Sequence, residues 1–408
     1  MVERLRNLGP GLLVAAAFIG PGTVTTASVA GAGFGYAILW ALVFSVVATI
    51  ILQEMASRLG VVSREGLGEA LRSTFRNPVL RFLAVLLVVS AITFGNAAFE
   101  TGNITGAALG LEALVGLPPQ VWSVFVGAGA FALLASGAYK IIERALVALV
   151  VVMSVVFVLT AVIVRPSLGD MLAGIFAPGI PTGALITVVA LIGTTVVPYN
   201  LFLHASSVQE KWPESVPTRQ ALSESRLDAS LSIALGGLVT LAILSTAAAA
   251  FFARGIEIES AGQMAEQLEP LLGPAARYFF ATGLLAAGLT SAATAPLAAA
   301  FATAGALGWR RDLRSWRFRA VWGVIIVVGT VFAVLGTEPV AAIVFAQAAN
   351  GVLLPVIAGF LLVAMNRRDL LGEFRNGIAA NVAGGAVFLV ATGLGLYLVL
   401  GALGVVGG

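Results

Sequence analysis

The chain contains no cysteine, so disulfides and thiolate metal sites are excluded. Charge is scarce too: Asp, Glu, Lys and Arg make up 11% of the 408 residues, against about 25% in soluble globular proteins. The formal net charge of +3 is too small to argue for nucleic acid as a partner. No cofactor motif and no nucleophile–base pair stands out, so neither an enzyme nor a bound cofactor is expected. What fills the chain is apolar: 59% hydrophobic residues and a mean hydropathy of +1.01. That composition belongs to an all-α integral membrane protein. The pI near 9.6 reflects arginines in loops.

Segments of roughly 20 apolar residues number eleven: 11–32, 37–59, 79–109, 121–137, 141–164, 183–204, 227–252, 278–307, 320–335, 340–365 and 378–406. Only 138–144 separates the fourth from the fifth. The first lacks a convincing small-residue cleavage site and is expected to be a retained helix, not a signal peptide. Lys and Arg fix the orientation. With the N-terminus inside, only Arg165, Arg254 and Arg277 of the 23 basic residues fall outside, and the other 20 (23 − 3) lie on the cytoplasmic side. The expected topology is therefore eleven helices, N-terminus in and C-terminus out. The polar stretches 209–226 and 254–273 should each be loops carrying an amphipathic helix, and 63–76 a short interfacial helix. A bacterial inner membrane and a monomer suit the compact loops.

Two of the spans are interrupted. The first carries Gly20-Pro21-Gly22-Thr23, and the sixth carries Gly193-Thr194-Thr195-Val196-Val197-Pro198-Tyr199-Asn200, followed by His204. Proline lacks an N–H and clashes with the preceding turn, while glycine removes the steric barrier to leaving helical dihedrals. Backbone groups freed at membrane depth are tolerated only against protein or a wet cavity. The two breaks lie five spans apart. Because five is odd, two five-helix units would run in opposite orientations, with substrate held between discontinuous helices at the midplane. The units would be 10–165 and 183–365, with 378–406 as an extra helix, all within one transmembrane domain.

The sequence resembles the NRAMP family of proton-coupled divalent-metal transporters, which have the LeuT-type fold. The resemblance runs through GPGLLVAAAFIGPGTVTTASVAGAG, LQEMASRLGVVSREGLGEALR, VVPYNLFLHASS, GLLAAGLTSAATAPLAAAF and AQAANGVLLPV. It implies that Gly20, Pro21, Gly22, Thr23, Thr194, Thr195, Val197 and Tyr199 line the substrate site, with Gln347 joining from the tenth span. It also implies that Glu100 occupies the family's proton-accepting Asp position, with Asn103 where the family has Glu. His204 matches a family histidine beyond the second break and is expected on the coupling path. Glu54 and Arg58 are spaced four apart and should form a helical pair at a gate.

The family's ligands are missing, however. Its first break reads Asp-Pro-Gly-Asn, where Asp and Asn bind the ion, and here those positions are Gly20 and Thr23. Its sixth helix carries Ala-x-x-Met-Pro-His, here Thr194, Val197, Pro198 and Tyr199. A dehydrating divalent ion needs compensating charge, and soft metals favour thioether or imidazole. No confident metal ligand set remains. Half-helix N-termini offer N–H donors and a positive dipole end. The residues alone therefore favour a small inorganic anion such as bicarbonate, coupled to protons or sodium. The alternatives are a Mg²⁺ or Mn²⁺ importer using carbonyls and hydroxyls, and an uncoupled, channel-like or sensing relative.

Overall fold

The computed structural model describes residues 19–405 except 76, 137–138, 310–311 and 337, and the side chains of 139–145 are likewise outside the description. Arg4, Arg6, Arg76, Lys140, Arg144, Arg310 and Arg311, and the start of the first span, fall in those excluded parts. All described regular structure is helical. In chain order the helices are α1 (Pro21–Phe34), α2 (Leu39–Ser63), α3 (Leu67–Thr74), α4 (Pro78–Val115), α5 (Pro119–Ser136), α6 (Tyr139–Val164), α7 (Leu168–Phe176), α8 (Leu185–Thr195) and α9 (Pro198–Lys211). There follow α10 (Thr218–Phe251), α11 (Ala261–Glu266), α12 (Glu269–Leu272), α13 (Ala276–Leu307), α14 (Trp316–Leu335), α15 (Pro339–Met365), α16 (Arg368–Leu371) and α17 (Ile378–Ala402).

Among the described residues ten helical segments are long and apolar enough to cross a membrane, the pair α8–α9 counting as one. They match the second to eleventh expected spans. α6 starts at Tyr139, inside the stretch expected to separate the fourth and fifth spans. The surface-facing residues explain the composition. Phe82, Phe94, Val162 and Leu389 are exposed, as a bilayer permits and water would not.

Local chemistry sets the boundaries. Asn77 accepts hydrogen bonds from the N–H groups of Val79 and Leu80 and caps α4, while Ser260 and Gln263 close a reciprocal capping box on α11. The short helix expected over 63–76 is α3, which buries Leu67, Ala70 and Leu71. The stretch 209–226 is different from expectation. It holds no separate amphipathic helix: α9 runs to Lys211, and α10 already starts at Thr218 behind Pro217. Pro213 and Pro217 confine the turn, so the polar residues after Thr218 form the first turns of α10.

The core is built on close approaches. α13 packs along α4, α10 along α1, and α8 along α15. These and smaller contacts put α1 and the interrupted α8–α9 pair against the long helices α4 and α15, and this arrangement positions the site.

Candidate functional site

At both expected breaks a proline opens a helix. Gly20 is the extended N-cap of α1 with Pro21 at its first position, and no side chain caps it. α8 ends at Thr195, Val196 and Val197 leave helical geometry, and Pro198 starts α9. Proline fits a first helical position because its missing N–H had no partner there in any case. Pro198 thus restarts a helix and does not merely kink one, and Pro21 opens α1. By contrast Pro296 in α13 and Pro355 in α15 lie inside uninterrupted helices.

The two breaks meet. Thr23 Oγ1 and Thr194 Oγ1 lie 2.8 Å apart across them, both buried. Gln347 from α15 covers the start of α1 so closely that a Cβ on Gly22 would stand 2.2 Å from its Nε2. A Cβ on Gly193 would lie 2.0 Å from the Gln347 carbonyl oxygen and 2.5 Å from the Gly351 nitrogen. The two glycines should therefore respond differently. Gly193→Ala meets backbone that cannot yield and is expected to destabilise by about 1–3 kcal/mol or more, seen as a lower unfolding temperature in detergent. Gly22→Ala meets only the end of a flexible side chain, so the protein should fold while its ion binding weakens.

The remaining expected site residues divide. The Thr195 hydroxyl turns back to donate to the Leu191 carbonyl at 2.9 Å. The Val197 carbonyl accepts the Asn200 N–H at 3.1 Å, and Tyr199 is buried with its ring edge-on to Phe99 at 5.6 Å. Glu100 is fully buried on α4, where its Oε2 accepts from Asn103 Nδ2 at 3.2 Å. Its side chain lies against Gly329 of α14. His204 Nδ1 pairs with Gln53 Oε1 of α2 at 2.8 Å.

Glu54 and Arg58 form the expected pair at 3.1 Å, and the structure extends it into a network. Arg226 of α10 reaches Glu54 at 2.9 Å, while Arg58 donates to the Phe374 carbonyl and to Asn376 Oδ1. Helices α2 and α10 and the segment before α17 are thus tied at one end of the molecule. These residues stand apart from the two breaks.

Sequence reasoning saw Asn200 beside the second break without counting it a site residue, and passed over Ser291. Asn200 is 1% exposed, and neither of its amide atoms has a partner among the described residues. The same is true of both amide atoms of Gln347, of Asn103 Oδ1, Glu100 Oε1 and His204 Nε2. A buried polar atom left unpaired costs about 1–3 kcal/mol, and such groups call for water or an ion. Their concentration around the two breaks marks the polar centre of an otherwise apolar molecule. A polar residue two positions after the second proline was the available signal for Asn200. No group of three or more His, Asp or Glu side chains converges on a metal-sized point among the described residues.

A cavity of about 690 Å³ lies further along the same helices, with none of the site residues named above in its lining. It is lined by Val29 of α1, Thr187 of α8 and Val344 of α15. Those are the three helices that bring Thr23, Thr194 and Gln347 together, and the cavity is displaced roughly 5–10 Å along their axes. Glu257, Glu259 and Glu338 line it as well, and no basic residue does among those described.

A helix interrupted at Val196–Val197 and packed against the start of α1, with unpaired polar groups nearby, fits the LeuT-type transporter fold. The chain belongs to the NRAMP family: the model described as "Natural resistance-associated macrophage protein-like" matches residues 11–401. A divalent metal cation transporter MntH of Bradyrhizobium diazoefficiens is 32% identical over 388 residues, covering 91% of this chain and 83% of that protein. Another, from Klebsiella pneumoniae, is 28% identical over 406 residues, covering 98% and 95%. A crystal structure of the Eremococcus coleocola manganese transporter superposes with a TM-score of 0.77 at 24% identity, covering 96% of this chain and 86% of that one. The nucleobase-cation-symport-1 family transporter Mhp1 shares the fold at a TM-score of 0.58 and 16% identity, covering 97% and 92%.

Proposed function

We propose that this protein carries a divalent metal cation through the site between Gly20–Thr23 and Thr194–Tyr199. The observation that carries the reading is the acidic cavity further along the three helices that form that site. Under the N-inside topology it opens to the exterior, and three carboxylates at its wall attract cations and repel anions. The similarity to proteins named divalent metal cation transporters, along nearly the whole chain, supports it. The anion expected from the sequence finds donors at the half-helix starts, but its approach crosses this acidic wall. The cation reading is therefore preferred.

The liganding atoms available are oxygens: Thr23 and Thr194 hydroxyls, the Gln347 amide oxygen and carbonyls freed at the breaks. Hard, partly hydrated ions such as Mg²⁺ or Mn²⁺ suit such a set better than softer metals. Glu100, Asn103 and His204 lie on the α4 and α9 side of the site and would carry coupling protons. Glu54, Arg58 and Arg226 would form the opposite gate.

Uptake of Mn²⁺ and Mg²⁺ into proteoliposomes tests this reading. Saturable uptake that Gln347→Leu abolishes is expected, whereas bicarbonate binding with no metal binding would contradict it. Replacing Glu257, Glu259 and Glu338 together by Gln should slow uptake several-fold at low ionic strength. The effect should fade once the Debye length shrinks to about 8 Å near physiological salt.

A further inference from the structure

A second cavity, of about 770 Å³, opens on the exterior face under the N-inside topology. The end of α6, the helix α7, the turn at Tyr36 between α1 and α2, and the last residues of α10 form its walls. Arg165 stands there at φ +53°, in the left-handed region that L side chains rarely adopt, and Pro166 prevents α6 from continuing. Strain of this kind gathers at binding sites and switches. Arg165 and Asp170 both line the cavity and are exposed, and neither is in an ion pair among the described residues. The cavity therefore offers a cation and an anion to whatever enters it.

Its surroundings fix the depth. α7 exposes Leu168, Leu172 and Phe176, and the end of α6 exposes Val162 and Ile163. Large apolar side chains on a short surface helix belong at the headgroup boundary of a bilayer. Trp40, at the start of α2, donates its indole N–H to the Gly179 carbonyl on the cavity wall at 2.8 Å, and tryptophan is enriched at that boundary. Below this cavity an apolar groove of about 380 Å³ follows the same two helices. Val151, Val155 and Leu159 of α6 and Leu235 and Leu238 of α10 line it, all exposed. Leu159 lies five residues (164 − 159) and Val151 thirteen (164 − 151) before the end of α6, about 8 Å and 20 Å along the axis. One leaflet of hydrocarbon is about 15 Å deep, so the groove lies where an acyl chain would run. Ile19, next to Gly20, forms part of its wall.

We infer that the cavity and the groove together form a phospholipid site on the α6–α10 seam, selective for an amine-bearing headgroup. The phosphate accepts from the Arg165 guanidinium, the ammonium donates to the Asp170 carboxylate, and one acyl chain lies along Val151, Val155 and Leu159. Phosphatidylethanolamine supplies both charges. Phosphatidylglycerol satisfies Arg165 alone and brings a net negative charge toward Asp170. The chain meets Ile19, so the bound lipid supports the residue that leads into the first break. The inference does not depend on which ion the protein carries.

The test titrates the purified full chain in detergent with phosphatidylethanolamine and phosphatidylglycerol and reads bound lipid by native mass spectrometry. Phosphatidylethanolamine is expected to bind about fivefold more tightly, the worth of one ion pair at a membrane surface. Asp170→Asn should bring the ratio of the two affinities to one, and Arg165→Gln should weaken both lipids. Both side chains are exposed, so these variants should fold. Leu159→Trp, which fills the groove from its exposed side, should weaken phosphatidylethanolamine severalfold. Glycerophosphoethanolamine, which has the headgroup and no acyl chains, should not compete at equal concentration. Equal affinity of the unaltered protein for the two lipids overturns the inference, as does a preference that survives both Asp170→Asn and Arg165→Gln. Competition by glycerophosphoethanolamine, or full lipid affinity in Leu159→Trp, would show that no acyl chain occupies the groove and overturns it as well.

Discussion

Gly20→Asp combined with Thr23→Asn is expected to tighten Mn²⁺ binding by about ten- to a hundredfold, since oxygen-ligand sites tune affinity over several orders of magnitude through ligand charge and rigidity. These substitutions place a carboxylate and an amide at the first break, the two groups that the sequence resemblance implies for it. The scaffold is ready to receive them. Gly20 is the N-cap of α1, where Asp is favoured by the N–H groups it would accept from. The Cβ it introduces approaches only the hydroxyl end of Ser291, which can rotate. The Thr23–Thr194 hydrogen bond is lost, so Thr194 becomes available to the ion. Calorimetry on the purified protein measures the gain. An unchanged affinity would show that the first break does not contact the metal.

Glu100→Gln is expected to separate transport from its driving force. Glu100 is a fully buried carboxylate whose one hydrogen bond goes to Asn103. Carboxylates at membrane depth are costly and generally functional. Gln retains the shape and still accepts from Asn103, so folding should survive. What disappears is the group that can take up and release a proton. Uptake driven by an imposed pH gradient should fall by roughly tenfold or more, while metal–metal exchange across the membrane stays within about twofold. Equal loss of both activities would mean that Glu100 is structural.

The helices were legible because each is a long apolar run, and hydropathy alone locates the spans from α2 to α17. Both breaks were legible for a related reason. Proline beside glycine or small polar residues contradicts its apolar surroundings, and the structure starts α1 and α9 at those prolines. The Glu54–Arg58 pair was legible from its i, i+4 spacing, but Arg226, 172 residues from Glu54, was not, since helix packing alone brings it there. Ser291 was hidden in the same way. It sits among the small residues of α13, whose composition speaks only of close packing. That the Thr195 hydroxyl donates back to Leu191 within its own helix was not legible either, since the sequence does not show where a hydroxyl turns. The substrate charge was hardest to read. The site residues argue locally for an anion, and the contrary signal comes from Glu257, Glu259 and Glu338, which the fold assembles from separate loops.

The central claim is that a metal ion binds where the two broken helices meet. Crystals grown with Mn²⁺ and measured at the manganese absorption edge test it directly. The account predicts an anomalous peak enclosed by Thr23, Thr194 and Gln347, absent from Gln347→Leu crystals. Strong density for manganese elsewhere with none at this junction, from protein that transports Mn²⁺, would contradict it.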